Sequence, residues 1–400
     1  MVILLSCIIR IFHMTDKKLN VLYIFPTSKK RKNGGFRHVM ISCAKACHTY
    51  HVLMTTRKKT GTVTEKIGHN LTLEPTNSRS KPGTLFKSIL IGLQVLRKFD
   101  KNHPSVITVF QPFAGGLIAF IISRLTGTPL NVELRTDYFS EPYSSHTYWS
   151  NKRNRLTSRV RYLFAQWLLR RADGVLSVAG GRMSKSLVDF GVKPERIHIL
   201  RTAVNIADFT PTSTREFDKK TLEIISITRF VPQKNLPLLI EAFDLAAGRI
   251  PNLKLTLVGV GSTGERLSSI LSKTKNKEKI TVLPWSNDVP TLLKEADIFA
   301  LSSDYEGCAR VITEAMASGL PIVTTDVSGI GDVCQPNEHA LVTPIKDEEA
   351  FAEALVTLAK NKEMRQRFSA NSLATTKSSY QTLPEYVASW SSILNQAAMK

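Results

Sequence analysis

The sequence predicts an α/β protein built from two doubly wound domains in tandem, facing across a cleft. Three observations carry this. The chain has 400 residues, more than one ordinary core accommodates and comfortable for two domains. Short β-branched runs alternate with amphipathic segments, which implies parallel sheets covered on both faces. The alternation breaks at a polar stretch and then starts again.

In the first half, LNVLYIF (19–25), HVLMTT (51–56), VITVF (106–110), LNVELR (130–135), GVLSVA (174–179) and IHILR (197–201) read as strands. Apolar residues at helical spacing fill the gaps, as in the stripe Leu85, Ile89, Leu93 and Leu96. DFTPTSTREFDKK (208–220), rich in Thr and charge, is the best boundary. LEIISIT (222–228), KLTLVG (254–259), ITVL (280–283), DIFALSS (297–303), PIVTT (321–325) and ALVTP (340–344) then repeat the pattern. The expected domains are 14–207 and 222–380, joined by a linker at 208–221. Residues 381–400 are expected to form a helix packing back toward the first domain.

The hydrophobic fraction of 42% and charged fraction of 22% are those of a globular protein, but the net charge of +21 is unusual. Residues 1–200 carry 32 Lys/Arg against 10 Asp/Glu, a net of +22, whereas 201–400 carry 22 against 23, a net of −1. A half so basic points to an anionic partner: membrane lipid, phosphorylated substrate or nucleic acid. Five scattered cysteines make no disulfide framework and suit a reducing compartment. Cys43, Cys47, His48 and His51 crowd together in sequence, but Cys43 and Cys47 fall i, i+4 on an expected helix and no second pair completes a site. Core cysteines, and no metal, are the expectation. No segment reaches the roughly 20 apolar residues that span a bilayer. MVILLSCIIRIF, interrupted by Arg10, lacks the marks of a secretory signal. Residues 1–13 are either a non-native start ahead of Met14, the preferred reading, or a weak membrane-touching tail.

The chemistry concentrates in SDYEGCARVITEAMASGLPIV (303–323). A strand ends here at the domain's ligand edge, DYEGC turns, and ARVITEAMASG is a helix closed by Gly319. Glu306 lies in the turn and Glu314 inside the helix. Glu is rarely buried without a partner, and two carboxylates beside an anion site suit hydroxyl groups, such as the vicinal diol of a ribose or hexose. Gly307 permits close backbone approach, and the free N–H groups from Cys308 through Ala309 to Arg310 favour an anion. In TRFVPQKN, Arg229 and Lys234 occupy the first turn of the same domain and suit a diphosphate, as fork and point charge. Together these residues point to a nucleotide-sugar site.

From about Ile224 to Val333 the chain resembles the donor domain of the retaining glycosyltransferases of family four, which have the GT-B fold of two Rossmann-like domains. TRFVPQKNLPLLIEAF, LVGVGSTGERL, SSDYEGCARVITEAMASGLPIVTT and SGIGDV match that family's motifs in order. A looser match covers 172–209, and Gly34–Gly35 fits the family's glycine loop. The resemblance implies that Arg229 and Lys234 hold the donor diphosphate, Glu314 the ribose and Glu306 the transferred sugar. It implies that Gly34 and Gly35 admit the diphosphate to the first domain's backbone, and that Pro284 and Trp285 flank the base. It also implies no metal and no cofactor beyond the nucleotide-sugar co-substrate; the chain has no Asp-x-Asp triplet. The chain departs from the pattern at Thr228, at Val260, at TAVN (202–205), and at RTDYF, which keeps Asp137 without the usual histidine. Asp137 is thus the acceptor-side catalytic candidate, or an ordinary loop carboxylate.

The basic clusters SKKRKNGGFR (28–37), RKK (57–59) and NKRNRLTSRVRYLFAQWLLRR (151–171) all lie in the acceptor half. In the last, Leu156, Val160, Leu163, Phe164, Trp167 and Leu168 follow helical spacing. Such a helix either lies on an anionic membrane or simply covers its sheet. The favoured expectation is a cytoplasmic enzyme, peripheral on the inner membrane face, that transfers a hexose-type sugar to a lipid-linked glycan for surface polysaccharide. The alternatives are a soluble transferase for a small metabolite, and a non-catalytic basic module for membrane or nucleic acid. No aromatic-rich nucleic-acid platform is visible, so nucleic acid is not an expected partner.

Overall fold

The computed structural model describes residues 18–26, 35–56, 63–78, 80–138, 155–211, 215–261, 264–379 and 381–399. Residues 1–13, the lysine cluster at 29–32, Gly34 and the basic run 57–59 lie outside them.

The first sheet contains β1 (Leu19–Pro26), β2 (Cys47–Thr55), β3 (Glu65–Ile67), β4 (Leu71–Pro75), β5 (Ser105–Val109), β6 (Leu130–Leu134), β7 (Gly174–Ser177) and β8 (Ile197–Ile199). Their order is β3-β4-β2-β1-β5-β6-β7-β8, parallel except for the edge pair β3–β4. The second sheet contains β9 (Leu222–Ile227), β10 (Leu253–Val258), β11 (Ile280–Leu283), β12 (Ile298–Leu301), β13 (Ile322–Thr325) and β14 (Ala340–Thr343). It is parallel throughout, in the order β11-β10-β9-β12-β13-β14.

Strand alternation feeds two cores per sheet. Along β1, Leu22 and Ile24 enter one cluster while Val21, Tyr23 and Phe25 enter the cluster on the opposite face. Along β9, Leu222 and Ile224 face one way and Ile225 and Ile227 the other. Each such side chain contributes about 1.5–3 kcal/mol on full burial, which is why apolar residues dominate both faces of the two central strands.

Three local readings change. Strand β2 begins at Cys47, four residues earlier than the sequence suggests, and the preceding helix Gly35–Lys45 stops short of it. Cys43 and Cys47 therefore share no helix, although both are buried; desolvation pushes both thiols up, Cys43 to about 12. Strands β3 and β4 went unforeseen because an edge pair of three and five residues is too short for its alternation to register. Finally, Val160 and Leu163, read as part of one apolar stripe, stand exposed on the helix Arg155–Arg171. Leu168 of that stripe is buried and Phe164 packs on the core, with Ala165 and Leu169 completing the buried face.

The helix Leu383–Ala398 opens on a capping box between Thr382 and Glu385. It packs on the first sheet, not the second: Tyr386, Trp390 and Leu394 share a core with Val21, Tyr23 and Tyr50. Buried Glu133 anchors it, accepting from Tyr23 Oη (2.9 Å), Trp390 Nε1 (3.3 Å) and Arg135 Nη2 (3.0 Å). Arg135 Nη2 also donates to Tyr386 Oη at 2.9 Å.

Candidate active site

Ligands of open α/β sheets lie outside the carboxyl ends of the strands, where the strand order reverses. In the second sheet that point falls between β9 and β12. Their carboxyl ends lead into 228–235 and 302–309, the two segments that the sequence marks as chemical.

Hydrogen bonds stitch these segments together. Asp304 N–H donates to Gln233 O (2.9 Å), Gln233 Nε2 to Tyr305 O (2.8 Å), and Ser302 Oγ to the carbonyls of Lys234 and Asn235 (3.0 Å each). Asn235 adopts a left-handed conformation (φ 42°), caps the helix Leu236–Arg249 and donates through Nδ2 to Asp304 Oδ1 at 2.8 Å. Inside this frame Lys234 Nζ pairs directly with Glu306 Oε1, and Ser303 Oγ donates to the same oxygen at 2.6 Å. Lys234 and Glu306 are both buried. Removing one member of such a pair typically costs 3–5 kcal/mol, because the other charge is left unpaired.

Glu314 lies on the short helix Arg310–Ala317, mostly buried, and accepts from Arg310 Nη2 at 3.1 Å. Burial raises its carboxyl above the ordinary range, and Arg310 only partly offsets that. Ala309 is the N-cap and supplies no side-chain acceptor, so no side chain caps the first-turn N–H groups. Arg229 is exposed at the end of β9, and Trp285 is exposed just after β11. Burial pushes up the thiol of partly buried Cys308. Gly35 begins the helix that follows β1, on the first domain's carboxyl edge.

Gly307 has a role beyond the ligand. A Cβ there would meet Thr136 Cα at 2.5 Å and Arg135 O at 2.6 Å, so the backbone that comes close is the other domain's. Gly329 (φ +82°) stacks behind it, where a Cβ would stand 1.9 Å from Gly307 O. On the same seam Ser328 Oγ donates to Asp137 Oδ2 at 2.7 Å, and Arg182 Nη2 contacts both oxygens of Asp326 (2.6 and 2.8 Å). Asp137 is thus buried between the domains.

The structure brings Lys234, Glu306, Gly307, Cys308 and Ala309 onto one edge, with Glu314 on the adjoining helix; Gly34 lies outside the described residues. Other polar groups gather at the same edges. Thr136 Oγ1, Arg201 Nε and Thr228 Oγ1 follow β6, β8 and β9, and all are buried with no hydrogen-bond partner among the described residues. Buried polar atoms left this way suit a polar ligand. Ser303 and Ser328 sit inside recognisable motifs and could have been proposed from them. Thr136 stands beside Asp137 in RTDYF and could have been proposed likewise, whereas Arg201 carries no such signal.

Two parallel, doubly wound domains meeting at their strand ends define the GT-B class of transferases. A crystal structure of Anabaena Alr3699/HepE in complex with UDP superposes with a TM-score of 0.71 at 18% identity, covering 90% of this chain and 96% of that one. Two family models match: Glycosyltransferase Family 4 over residues 37–208, and Glycosyl transferases group 1 over residues 212–374. Between them the two models cover most of the chain, which belongs to the group 1 glycosyltransferases. Among curated relatives, an N-acetylgalactosamine-N,N'-diacetylbacillosaminyl-diphospho-undecaprenol 4-alpha-N-acetylgalactosaminyltransferase of Campylobacter jejuni is 24% identical over 54% of this chain and 59% of that protein. The putative colanic acid biosynthesis glycosyltransferase WcaL of Salmonella typhimurium is 30% identical over 49% of this chain and 50% of that protein. The chain thus spans between half and three-fifths of these two relatives. No helix among the described residues is long and apolar enough to cross a membrane.

Proposed function

We propose that this chain moves a hexose-type sugar, with retention and without a metal, from a nucleoside-diphosphate sugar to a hydroxyl of a lipid-linked glycan. The buried Lys234–Glu306 pair at the β9/β12 reversal carries the reading. It sets a cation beside a hydroxyl acceptor at one point, as a diphosphate-linked sugar requires. Arg229 and Lys234 take the diphosphate charge, Glu306 accepts from the sugar's hydroxyls, and Glu314 accepts from the ribose. The acceptor hydroxyl attacks the anomeric carbon on the face from which the diphosphate leaves. The bond from that carbon to the diphosphate breaks, and a phosphate oxygen takes the hydroxyl proton. The protein supplies position and charge stabilisation, with Asp137 set at the acceptor side by Ser328.

A lipid-linked acceptor at the cytoplasmic face of the membrane is supported by the helix Arg155–Arg171. Val160 (57% exposed) and Leu163 (52%) form an apolar outer stripe, with exposed Arg159, Arg161, Arg170 and Arg171 around it. An apolar stripe among arginines suits an anionic surface. The undecaprenol-linked substrate named for the Campylobacter relative points the same way.

Calorimetry with UDP, GDP and ADP on the full chain tests the donor site. One nucleotide is expected to bind, with the affinity reduced in both Glu314→Ala and Arg229→Ala. If none binds, or if both variants match wild type, the assignment is wrong.

A further inference from the structure

We propose that His48, Asp100 and His103 form a divalent transition-metal site of the zinc class, on the side of the first domain away from the cleft. His48 is the second residue of β2, and Asp100 and His103 lie in the turn before β5. All three therefore sit at the amino ends of parallel strands, whereas the candidate active site occupies the carboxyl ends.

The donor atoms converge. Asp100 Oδ2 stands 3.7 Å from His48 Nε2 and 3.8 Å from His103 Nε2, and all three ligand atoms lie within 4.8 Å of one another. In a tetrahedral zinc site, bonds of about 2.0–2.1 Å place ligand atoms about 3.3–3.4 Å apart. The two carboxylate–imidazole separations thus exceed the zinc spacing by no more than about half an ångström. The two rings stack with centroids 3.8 Å apart and planes 10° from parallel, so an ion must fan them open for both lone pairs to reach it. With side-chain exposures of 39% and 25%, the rings have room to turn.

The surrounding hydrogen bonds already point the ligands. His103 Nδ1 lies 2.8 Å from Lys18 O, and a carbonyl can only accept, so Nδ1 carries the proton and Nε2 keeps its lone pair. Metal-bound histidines are commonly oriented in this way. Asp100 Oδ1 accepts from Asn102 N–H at 2.9 Å, which leaves Oδ2 for the imidazoles. Beneath the turn, fully buried Asn20 donates from Nδ2 to the carbonyls of Asp100 (2.8 Å) and His103 (3.2 Å) and holds both residues in place. Sequence proximity groups His48 with Cys43, Cys47 and His51 instead. Those thiols are buried in the core, and His51 pairs with Glu74 at 3.0 Å.

Two imidazoles and one carboxylate leave a position for water and suit Zn²⁺ better than Mg²⁺ or Ca²⁺. A bound ion would tie the start of β2 to the turn before β5. The test uses tag-free full chain, stripped with a chelator and titrated with ZnCl2 by calorimetry. One saturable site and a raised Tm are expected, with affinity reduced at least about tenfold in His48→Ala, His103→Ala and Asp100→Asn. Metal-free Tm values check that the variants fold. Should any variant fail to fold, zinc protection of His48 and His103 from diethyl pyrocarbonate in wild type supplies the reading. Absence of uptake, unchanged affinity in folded variants, or modification of both histidines at saturating zinc would each overturn the site.

Discussion

In the second domain the ionic groups that matter are buried and tied to one another, whereas most basic side chains among the described residues of the first stand exposed. Lys234, Glu306 and Asp304 are buried and hydrogen-bonded within one stitched frame, in a half of the chain whose net charge is −1. The half carrying +22 shows arginines on an open helix face. A buried pair acts over a few ångströms and fixes geometry. Exposed charge acts over about a Debye length, roughly 10 Å in 0.1 M salt, and fades as salt rises. The contrast separates a chemical edge from an attracting surface, and substitutions on each side should fail in different ways.

The largest effect is expected at Glu306. Glu306→Ala strands Lys234 and should lower stability by about 3–5 kcal/mol, with loss of sugar transfer. Thermal melts and nucleoside-diphosphate release would measure both. Next comes the seam. Gly307→Ala forces a Cβ against Thr136 and should cost about 1–3 kcal/mol, while Gly331→Ala, whose Cβ would meet nothing within 4 Å, should melt like wild type. Equal melting of the two variants would show that the close approach is not maintained in solution.

Glu314→Ala should cost about 1.5–3 kcal/mol of nucleotide affinity, roughly ten- to a hundredfold. Because burial raises the Glu314 carboxyl, protonation should begin at a higher pH than for an exposed glutamate. Wild-type affinity should therefore fall as pH is lowered from neutrality, and Glu314→Gln should flatten that dependence. The stability effect has the opposite sign: ionised Glu314 costs the fold above its raised pKa, and the cost disappears as pH falls below the unfolded value. The smallest change in stability, within about 0.5 kcal/mol, is expected for Val160→Ser with Leu163→Ser. That variant should nevertheless float less with anionic vesicles, and added salt should weaken flotation of the wild type. Unchanged flotation would remove the membrane role from this helix.

Much of the second domain is legible in the sequence because its constraints are local. Strand, turn and helix follow within twenty residues around Glu306, and the observed β12 and β13 lie inside the segments read as strands. The first domain hides more. Ser328 is 191 residues from Asp137, and no periodicity announces such a contact. Gly259 and Gly261 belong to a recognised motif, yet their immediate reason is that Cβ atoms would stand 1.8 and 2.0 Å from Thr228 O and Phe230 O. The stripe through Val160 and Leu163 was ambiguous for a related reason: helical spacing identifies an apolar face without saying what it meets.

The strap from Leu383 to Ala398 has a consequence for biosynthesis. A ribosome delivers β1 and β6 long before Tyr386 and Trp390 exist, so Tyr23, Glu133 and Arg135 must wait, with one flank of their core open, until the second domain has been made. The domain made first is therefore the one finished last. Ending translation before residue 383 would leave a glutamate–arginine cluster without its aromatic cover, and the nascent first domain exposed to aggregation for as long as the second takes to be made.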